Sequence, residues 1–494
     1  MLDQTFSAKN FMTIYAQENR MGRIPVETMG ANFQTVVANI KTVNKELQFL
    51  RNKNKGKKTN EVEKEIKSLK DELKDLRLNK QTALFNEMQG LSAKVNSKDF
   101  QFKLEKVQIG RKIGFKIDSK DYAQLFAMKQ LQSNLEKTFK VKQANRHLIM
   151  TNLKLLLKTK RPFNIIRTDV SSFFESIPQD KLKRIVLDNN LLSYKSKVFV
   201  NAILNEYETE KRKLTVDESK GMKDNCGIPR GIGISSLLSE IYMRDIDNHI
   251  KKRSEVIFYV RYVDDIFMLI AELPKGQDII TYYNNLINEF KNKGLDLQPK
   301  DSEKCSLFSC TEFKEPSFDI TYLGYKCIIT NKGKNKQWIS SDVIYRLSDE
   351  KIKRIKHRID NAFKHFETTN KYNLHQARMD LVDSLKMIAG NVKLHKSKSN
   401  VKTGIYYNSD LLDDMGDLEN LNNYLYDMRV SLYSKLFHTE DEKKNYLNAI
   451  YRRIKKFDFV AAWKSKKMYD LSDRRMRAII RWMNNEEKED KTTL

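Results

Sequence analysis

Residues 256–270, VIFYVRYVDDIFMLI, decide the fold of the central part of this chain. Two apolar runs meet at Asp264 and Asp265, a pattern that predicts a β-hairpin with adjacent carboxylates at its tip. Two acidic groups between buried strands are electrostatically costly, so we expect a cation beside them, and Mg²⁺ is the natural candidate for oxygen ligands. An ordinary Asp-Asp turn is the alternative interpretation of these residues.

A second carboxylate that could face this hairpin lies in residues 163–178, FNIIRTDVSSFFESIP. The apolar residues around Ile165 predict a strand that ends at Asp169, and a helix is expected to open near Ser176 or Pro178. Across a sheet, this aspartate would complete the paired acidic site that two-metal phosphoryl transfer requires. The alternative is that the aspartate caps the helix that follows.

The third element, residues 226–247, CGIPRGIGISSLLSEIYMRDID, predicts a glycine-rich turn that opens a helix at about Ser235. Such a turn exposes backbone N–H groups because glycine has no side chain to cover them. Exposed N–H groups suit a phosphate or a base pair that approaches the backbone closely. We therefore treat this turn as a candidate binding element.

The composition indicates a soluble protein that binds nucleic acid. The 494 residues carry 91 Lys and Arg against 64 Asp and Glu, a formal charge of +27, and a field of this sign attracts polyanions. A generally lysine-rich composition is the alternative explanation. No run approaches the roughly 18 apolar residues of a membrane helix. Four cysteines without a paired framework, and no signal-peptide pattern, predict a cytoplasmic protein with no membrane partner.

The two flanks of the chain are predicted to be helical, because six of the seven prolines lie between residues 162 and 316. In the N-terminal flank, residues 36–50 and 62–76 repeat apolar side chains at alternating spacings of four and three. A polar basic segment separates the two runs. We therefore predict two antiparallel amphipathic helices that pack on the body of the protein or on a second copy of the chain.

The last part of the chain combines positive charge with aromatic residues. Residues 451–481 hold eleven Lys and Arg against three Asp and Glu. The interleaved aromatic residues are Phe457, Phe459, Trp463 and Tyr469. This mixture suits phosphates and stacked bases. The alternative is an amphipathic helix pair whose aromatic residues lie in the core and whose charges face water.

Together, these elements resemble the palm of reverse transcriptases. Residues 169–174 resemble motif A, residues 227–236 motif B, and residues 262–265 motif C. Downstream, residues 293–305, KGLDLQPKDSEKC, resemble motif D, and residues 320–327, ITYLGYKC, resemble the primer-grip motif E. The five motifs occur in the order of the family.

Within the family, the chain resembles the reverse transcriptases of bacterial abortive infection and related anti-phage defence. Arg230 stands where most members have glutamine, and Ser236 replaces a usual proline. Residues 239–247, SEIYMRDID, and residues 388–408 are also similar to that group. Retron enzymes are less similar because no Val-Thr-Gly follows the palm. The lack of a Cys- or His-rich nuclease tail disfavours group II intron proteins.

The resemblance implies a metal site at the carboxylates. Asp169 and Asp264 would hold two Mg²⁺ ions, which activate a primer hydroxyl and steady the leaving pyrophosphate. Asp265 would support these ligands, and Val170 would add its carbonyl oxygen.

The resemblance also implies residues that contact the nucleotide. Phe174 matches the position that crowds the 2′ carbon of the sugar. Arg230, followed by Gly231, would lie beside the nascent base pair, and its departure from glutamine puts ordinary templated selection in doubt. Lys304 is the candidate proton donor of motif D, with Lys300 as its competitor.

In the fingers, the resemblance of residues 139–149, FKVKQANRHLI, implies that Lys140, Lys142 and Arg146 lie near a triphosphate. A solvated basic strand is the alternative interpretation of this segment.

The predicted fold class is an α/β (α+β) polymerase palm and fingers with a helical N-terminal extension and an all-helical C-terminal region. The extension, with its helical hairpin, is assigned to residues 1–100. The fingers and palm are assigned to residues 101–340, and a thumb-like C-terminal region to residues 341–494.

The predicted function is Mg²⁺-dependent DNA synthesis from dNTPs in bacterial anti-phage defence, with a structured non-coding RNA bound and DNA as the product. Template-independent synthesis, including protein-primed synthesis on a tyrosine, is one alternative. An inactive RNA-binding protein with a polymerase fold is the other, because fold alone does not imply activity. The N-terminal helices are candidates for joining copies of the chain into a homo-oligomer.

Overall fold

The computed structural model describes residues 3–20, 24, 26–54, 59–110, 112–118, 120–142, 144–159, 162–271, 273–309, 315, 317–331, 340–393, 401–436, 439–446 and 450–484. Cys310, residues 55–58 of the basic N-terminal segment, and residues 394–400 of the segment that resembles the defence group lie outside them.

Helices account for most of the described chain. They are α1 (Ala8–Arg20), α2 (Ala31–Lys53), α3 (Asn60–Asn96), α4 (Tyr122–Phe139), α5 (Arg146–Leu157), α6 (Phe173–Ser176), α7 (Gln179–Leu187), α8 (Tyr194–Lys211), α9 (Ser235–Lys251), α10 (Ile279–Asn292), α11 (Asp349–Asn370), α12 (Leu374–Ile388), α13 (Gly416–Leu436), α14 (Glu440–Tyr446), α15 (Arg452–Ile454), α16 (Phe459–Ser465) and α17 (Asp473–Met483), with a 3₁₀ turn at Val26–Thr28.

The strands lie in the middle of the chain, apart from three short ones near the end. They are β1 (Glu105–Ile109), β2 (Lys112–Lys116), β3 (Asn164–Asp169), β4 (Val256–Tyr262), β5 (Asp265–Ile270), β6 (Ser306–Ser309), β7 (Ser317–Tyr322), β8 (Tyr325–Asn331), β9 (Ser340–Leu347), β10 (Asn391–Lys393), β11 (Lys402–Gly404) and β12 (Met468–Tyr469).

The chain divides into two compact units. The first unit comprises residues 1–144, 168–268 and 276–305, and the second comprises residues 145–167, 269–275 and 306–494. The three domains assigned from the sequence stay a prediction.

The N-terminal flank forms the predicted helical hairpin from α2 and α3. Val43, Leu47 and Leu73 are buried between the two helices, with four partly buried apolar residues packed against them. These four are Ile40, Ile66, Leu69 and Leu76. The alternating four and three spacing places such side chains on one helix face, which accounts for the contact.

A four-stranded sheet of order β4-β5-β3-β6 positions the candidate carboxylates. Ile165, Ile166 and Ile266 are buried, as expected for strands covered on both faces. Asp169 is the last residue of β3, and Asp264 lies in the turn between β4 and β5. The predicted strand end and hairpin are therefore confirmed.

In the second unit, β7, β8 and β9 form an antiparallel sheet in that order. The turn between β7 and β8 consists of Leu323 and Gly324, both with positive φ. Helices follow to the end of the described chain, as predicted. The C-terminal region is not all helical, however, because β10 pairs with β11 and β12 in a small sheet. Strands of two or three residues are too short to show an alternating pattern in the sequence.

Two predictions from composition concern the described residues only. No helix among them is long and apolar enough to cross a membrane. Cys226, Cys305 and Cys327 have free thiols, as predicted.

Candidate active site

Backbone hydrogen bonds join the two segments that carry the candidate carboxylates. The Val170 N–H donates to the Asp264 carbonyl at 3.0 Å, so motif A is attached directly to the hairpin turn. The Asp169 carbonyl accepts from the Gln298 N–H at 3.0 Å, which attaches motif A to the motif D segment. The ends of three segments that are distant in sequence therefore meet at one place.

The Lys304 side chain interacts with all three candidate carboxylates. Its ammonium group lies 2.5 Å from an Asp169 carboxylate oxygen. This hydrogen bond raises the pKa of Lys304, and the charges of Asp264 and Asp265 raise it further. Burial raises the pKa of Asp264, and the nearby Asp169 charge adds to that effect. The four predicted catalytic residues thus form one electrostatic cluster.

The residues present fit a divalent cation. Among the described residues, no group of three or more His, Cys, Asp or Glu side chains is arranged to hold a metal ion. The donor set is instead Asp169 and Asp264, both oxygen donors of the kind Mg²⁺ prefers. The raised pKa of Asp264 is caused by burial and by the nearby charge of Asp169. A bound cation would lower the free-energy cost of keeping both carboxylates charged there. The ammonium of Lys304 supplies positive charge at this position in the structure.

Arg261 holds the hairpin turn in place through its backbone and is itself held by two carboxylates; we call this arrangement the Arg261 clamp. Its guanidinium group donates to the Val263 carbonyl at 2.7 Å, and it contacts Glu240 and Asp247 at 2.7 Å each. Val263 has a φ of 61°, which is rare for a β-branched residue and therefore strained. Burial alone would lower the pKa of Arg261, but the two carboxylates reverse this and raise it. The clamp holds the strained turn that presents Asp264.

Motif B packs closely on the hairpin formed by β1 and β2. The Phe115 N–H donates to the Arg230 carbonyl at 2.6 Å. Gly231 has a φ of 101°, and a Cβ atom there would lie 2.7 Å from the Phe115 carbonyl oxygen. Glycine is therefore required at this position. The close approach carries Arg230 to the edge of the candidate site.

Arg230 forms a compact network with motif A. Its guanidinium group donates twice to one Glu175 carboxylate oxygen, at 2.9 and 3.2 Å. The same group lies 4.9 Å from the centre of the Phe174 ring. Lys112 contacts the other Glu175 oxygen at 3.4 Å. The charge of Arg230 also acts on Asp264, whose pKa it lowers against the effect of burial.

The two adjacent phenylalanines differ in burial. Phe173 belongs to the core, whereas Phe174 is partly exposed. One ring therefore enters the core and the other faces out. Both residues lie in the first turn of α6, where consecutive side chains point about 100° apart. Ser172, not Asp169, occupies the N-cap position of this helix.

The remaining predicted residues lie elsewhere. Lys142 and Lys300 are exposed, with no contact to the cluster among the described residues. Arg146 belongs to the second unit, where its side chain donates to the Leu323 carbonyl at 2.8 Å and lies 5.2 Å from the centre of the Tyr325 ring. Its assignment to a triphosphate stays a prediction.

The sequence analysis missed Glu175, Lys112 and the Arg261 clamp. One signal was available for Arg261, because a charged residue inside an apolar strand requires a buried counter-charge. The residues that supply it, Glu240 and Asp247, belong to the run SEIYMRDID. No local pattern connects Glu175 with Arg230, which lies 55 residues away.

Residues 87–327 match the family model described as "Reverse transcriptase (RNA-dependent DNA polymerase)". No curated protein matches the sequence significantly.

Solved structures that are similar to this chain include telomerases. That of Candida albicans, in complex with a TWJ fragment of telomeric RNA, is 12% identical, with 78% of this chain and 64% of that chain covered and a TM-score of 0.32. The truncated apo telomerase of Candida tropicalis is 12% identical, with 68% and 86% covered and a TM-score of 0.33. The match thus spans less than two thirds of the Candida albicans telomerase.

The family match includes all five motifs that the sequence analysis singled out, from Asp169 to Cys327. Residues 87–327 of this chain are therefore a reverse transcriptase domain.

Proposed function

We propose that this domain is an RNA-directed DNA polymerase that adds dNTPs to a primer hydroxyl. The observation that carries the proposal is the cluster of Asp169, Asp264 and Asp265 around the Lys304 ammonium. Phosphoryl transfer needs little covalent chemistry from the protein and depends on positioning and on charge stabilisation. A rigidly attached group of carboxylates beside one ammonium group meets both needs.

The proposed cofactor is Mg²⁺, with two ions bound. Asp169 and Asp264 are the proposed ligands, with the Val170 carbonyl as a third donor and Asp265 in support. When bound, the ions supply Lewis-acid stabilisation of the attacking and leaving oxygens. The chain's own contribution is to hold Asp169 at the end of β3 and Asp264 in the β4–β5 turn, which Arg261 holds in place.

Lys304 is the proposed proton donor to the pyrophosphate that leaves. The hydrogen bond to Asp169 raises the pKa of Lys304 and so favours its protonated form. Phe174 is the proposed barrier to a 2′ hydroxyl, and Arg230 the residue beside the base pair. Arg146 and Lys142 stay predictions for the triphosphate.

The proposed setting is bacterial anti-phage defence in the cytoplasm, with a structured non-coding RNA bound. The support is the resemblance of residues 239–247 and of Arg230 to the defence group. The net charge of +27 supports an RNA partner. The hairpin of α2 and α3 is the proposed surface for a homo-oligomer.

The test is nucleotide incorporation by the purified protein with Mg²⁺ and each dNTP, with and without an added RNA template and primer. Asp264→Asn and Asp169→Asn should abolish incorporation, because the amide keeps the shape but removes the charge that the metal requires. Both variants should still fold and retain RNA. Asp301→Asn, at an exposed aspartate of the motif D loop, is the matched control and should act like wild type.

The alternatives give different results in the same experiment. Incorporation without any template, into product that stays attached to the protein after denaturation, would indicate protein-primed synthesis. Retained RNA without any incorporation would indicate an inactive binding protein. Near wild-type incorporation by Asp264→Asn would show that the site assignment is wrong.

A further inference from the structure

The second unit carries a surface that combines exposed lysines with partly exposed aromatic rings. We name it the basic-aromatic surface and define it as Lys402, Tyr406, Tyr407, Trp463 and Lys466. The Lys466 ammonium lies 4.4 Å from the centre of the Tyr406 ring, and the Lys402 ammonium lies 5.4 Å from the centre of the Tyr407 ring. The three aromatic rings are in contact, with centres 5.2 and 5.4 Å from Tyr406.

The fold builds this surface from segments about 60 residues apart. Strand β10 pairs with β11 on one side and with β12 on the other, which brings β11 and the residues after it close to the residues that precede β12. The buried side chain of Asn391 joins them, because it accepts from the Tyr406 N–H at 2.9 Å and donates to the Ala462 carbonyl at 3.1 Å. The Trp463 indole N–H donates to the Ser409 carbonyl at 2.9 Å. The surface is therefore rigid rather than a chance meeting of two loops.

The positive charge of the surface has no acidic partner in the part of the chain that the structure describes. Lys402 and Lys466 are exposed and form no ion pair with any residue that the structure describes, and the same holds for the neighbouring Lys464 and Lys467. Two acidic residues that are close to these lysines in sequence have other partners. Asp458 accepts from the Ala461 N–H and from Asn422, and Asp410 contacts His147 and Tyr325.

The rings and the lysines suit different parts of one ligand. Partly exposed aromatic faces stack on bases, and free ammonium groups contact phosphates. Only unpaired bases offer their faces to a protein, since those of a duplex are stacked on each other. We propose that the basic-aromatic surface binds single-stranded nucleic acid, with bases on Tyr406 and Tyr407 and phosphates on Lys402 and Lys466.

This proposal adds a second nucleic-acid site to the proposed function and does not depend on polymerisation. The experiment therefore uses the full chain with Asp264→Asn, in which the polymerase proposal predicts no synthesis. Binding is measured by fluorescence anisotropy at several KCl concentrations. The probes are an unstructured pyrimidine RNA of about 20 nucleotides, DNA of the same sequence, and the RNA duplex. The two single strands distinguish template from product as the source of the ligand.

Tyr407→Ala should weaken binding of a single strand about five- to hundredfold, because one base no longer has a ring to stack on. Lys466→Gln should lower the salt slope by about 0.7, the value for one phosphate contact of a single strand, and Lys466→Arg should restore it. Lys456→Gln is the matched control. That lysine is also exposed and also lies over an aromatic ring, but the ring, Phe457, is buried and offers no face to a base.

Three outcomes would overturn the proposal. They are an unchanged affinity in Tyr407→Ala, an effect of Lys456→Gln equal to that of Lys466→Gln, and equal affinity for duplex and single strand. If Tyr407→Ala fails to fold, as judged by circular dichroism, Tyr407→Leu replaces it. This variant keeps an apolar side chain but removes the stacking face, so the same decrease in affinity is expected.

Discussion

The two charged regions of this molecule differ in how their charges are held. At the candidate active site, Asp169 is only 4% exposed, and Lys304, Arg230 and Arg261 each contact a carboxylate. On the basic-aromatic surface the lysines are exposed and have no acidic partner among the described residues. Charges that must act at fixed positions are paired with an opposite charge on the chain, whereas charges that bind a mobile polyanion have no such partner among the described residues. The difference predicts that removing one paired charge disturbs the first region strongly, whereas removing one lysine disturbs the second only weakly.

The largest effect is expected from replacing Arg261, which holds the hairpin turn, and it should be a loss of stability. Arg261→Met leaves the buried Asp247 and the partly buried Glu240 without their cationic partner, and breaking a buried pair in this way typically costs about 3–5 kcal/mol of stability. Chemical denaturation of the full chain measures this destabilisation. The rate of nucleotide incorporation should fall as well, because the turn that carries Asp264 is no longer held.

Arg253→Met is the matched control for the clamp. Arg253 precedes the same strand and pairs with Glu289, whose side chain is 43% exposed. When Arg253 is replaced, water can solvate the exposed Glu289 carboxylate. We therefore expect a destabilisation of less than about 1 kcal/mol. Equal destabilisation by the two substitutions would contradict the view that burial gives Arg261 its role.

The clamp also shows what a sequence can predict. The positions of Asp169 and Asp264 follow from local patterns, since an apolar run ends where each one begins. The α2 and α3 hairpin follows from its spacing in the same way. Two ion pairs form only when distant segments pack, namely Glu175 with Arg230 and Glu240 with Arg261. The periodicity of the sequence therefore does not indicate them. The short strands β10, β11 and β12 were missed because they depend on one another.

The next effect concerns the sugar of the nucleotide. Phe174→Ala should admit ribonucleotides more readily, since a 2′ hydroxyl no longer meets the ring, and discrimination should fall by about 1–3 kcal/mol. Incorporation of GTP against dGTP, and of ATP against dATP, at matched concentrations measures it. If the ring served only the core, activity toward both sugars would fall equally and their ratio would stay the same.

A smaller effect on the same ratio is expected from the residue that orients Arg230. Glu175→Gln keeps the shape but removes the charge that holds the guanidinium group over the Phe174 ring. A cation–π contact at such a site is worth about 0.5–1 kcal/mol, so ribonucleotide acceptance should rise about two- to fivefold. The change should appear in KM for the ribonucleotide more than in kcat, because the ring positions the substrate.

Lys112→Gln is the control for this prediction. Lys112 contacts the same glutamate through its other oxygen, but its own side chain is 51% exposed and does not touch the Phe174 ring. We expect an unchanged sugar ratio. A shift as large as that of Glu175→Gln would assign the effect to the overall charge around Glu175 instead of to the orientation of Arg230.

The smallest effect per residue is expected on the second charged region. Replacing Lys464, Lys466 and Lys467 together by glutamine should flatten the dependence of RNA affinity on salt, by about 0.7 in the log–log slope for each phosphate that these lysines no longer bind. The control replaces Lys64, Lys67 and Lys74, which are exposed on α3, by glutamine. Both triple variants lower the formal charge by the same amount, so the long-range attraction of the whole chain weakens equally in each. Only direct phosphate contacts distinguish them, because counterions are released where a lysine meets the strand. Equal slopes in the two variants would therefore mean that the lysines near Trp463 are a solvated face and that the field of the whole molecule attracts the RNA.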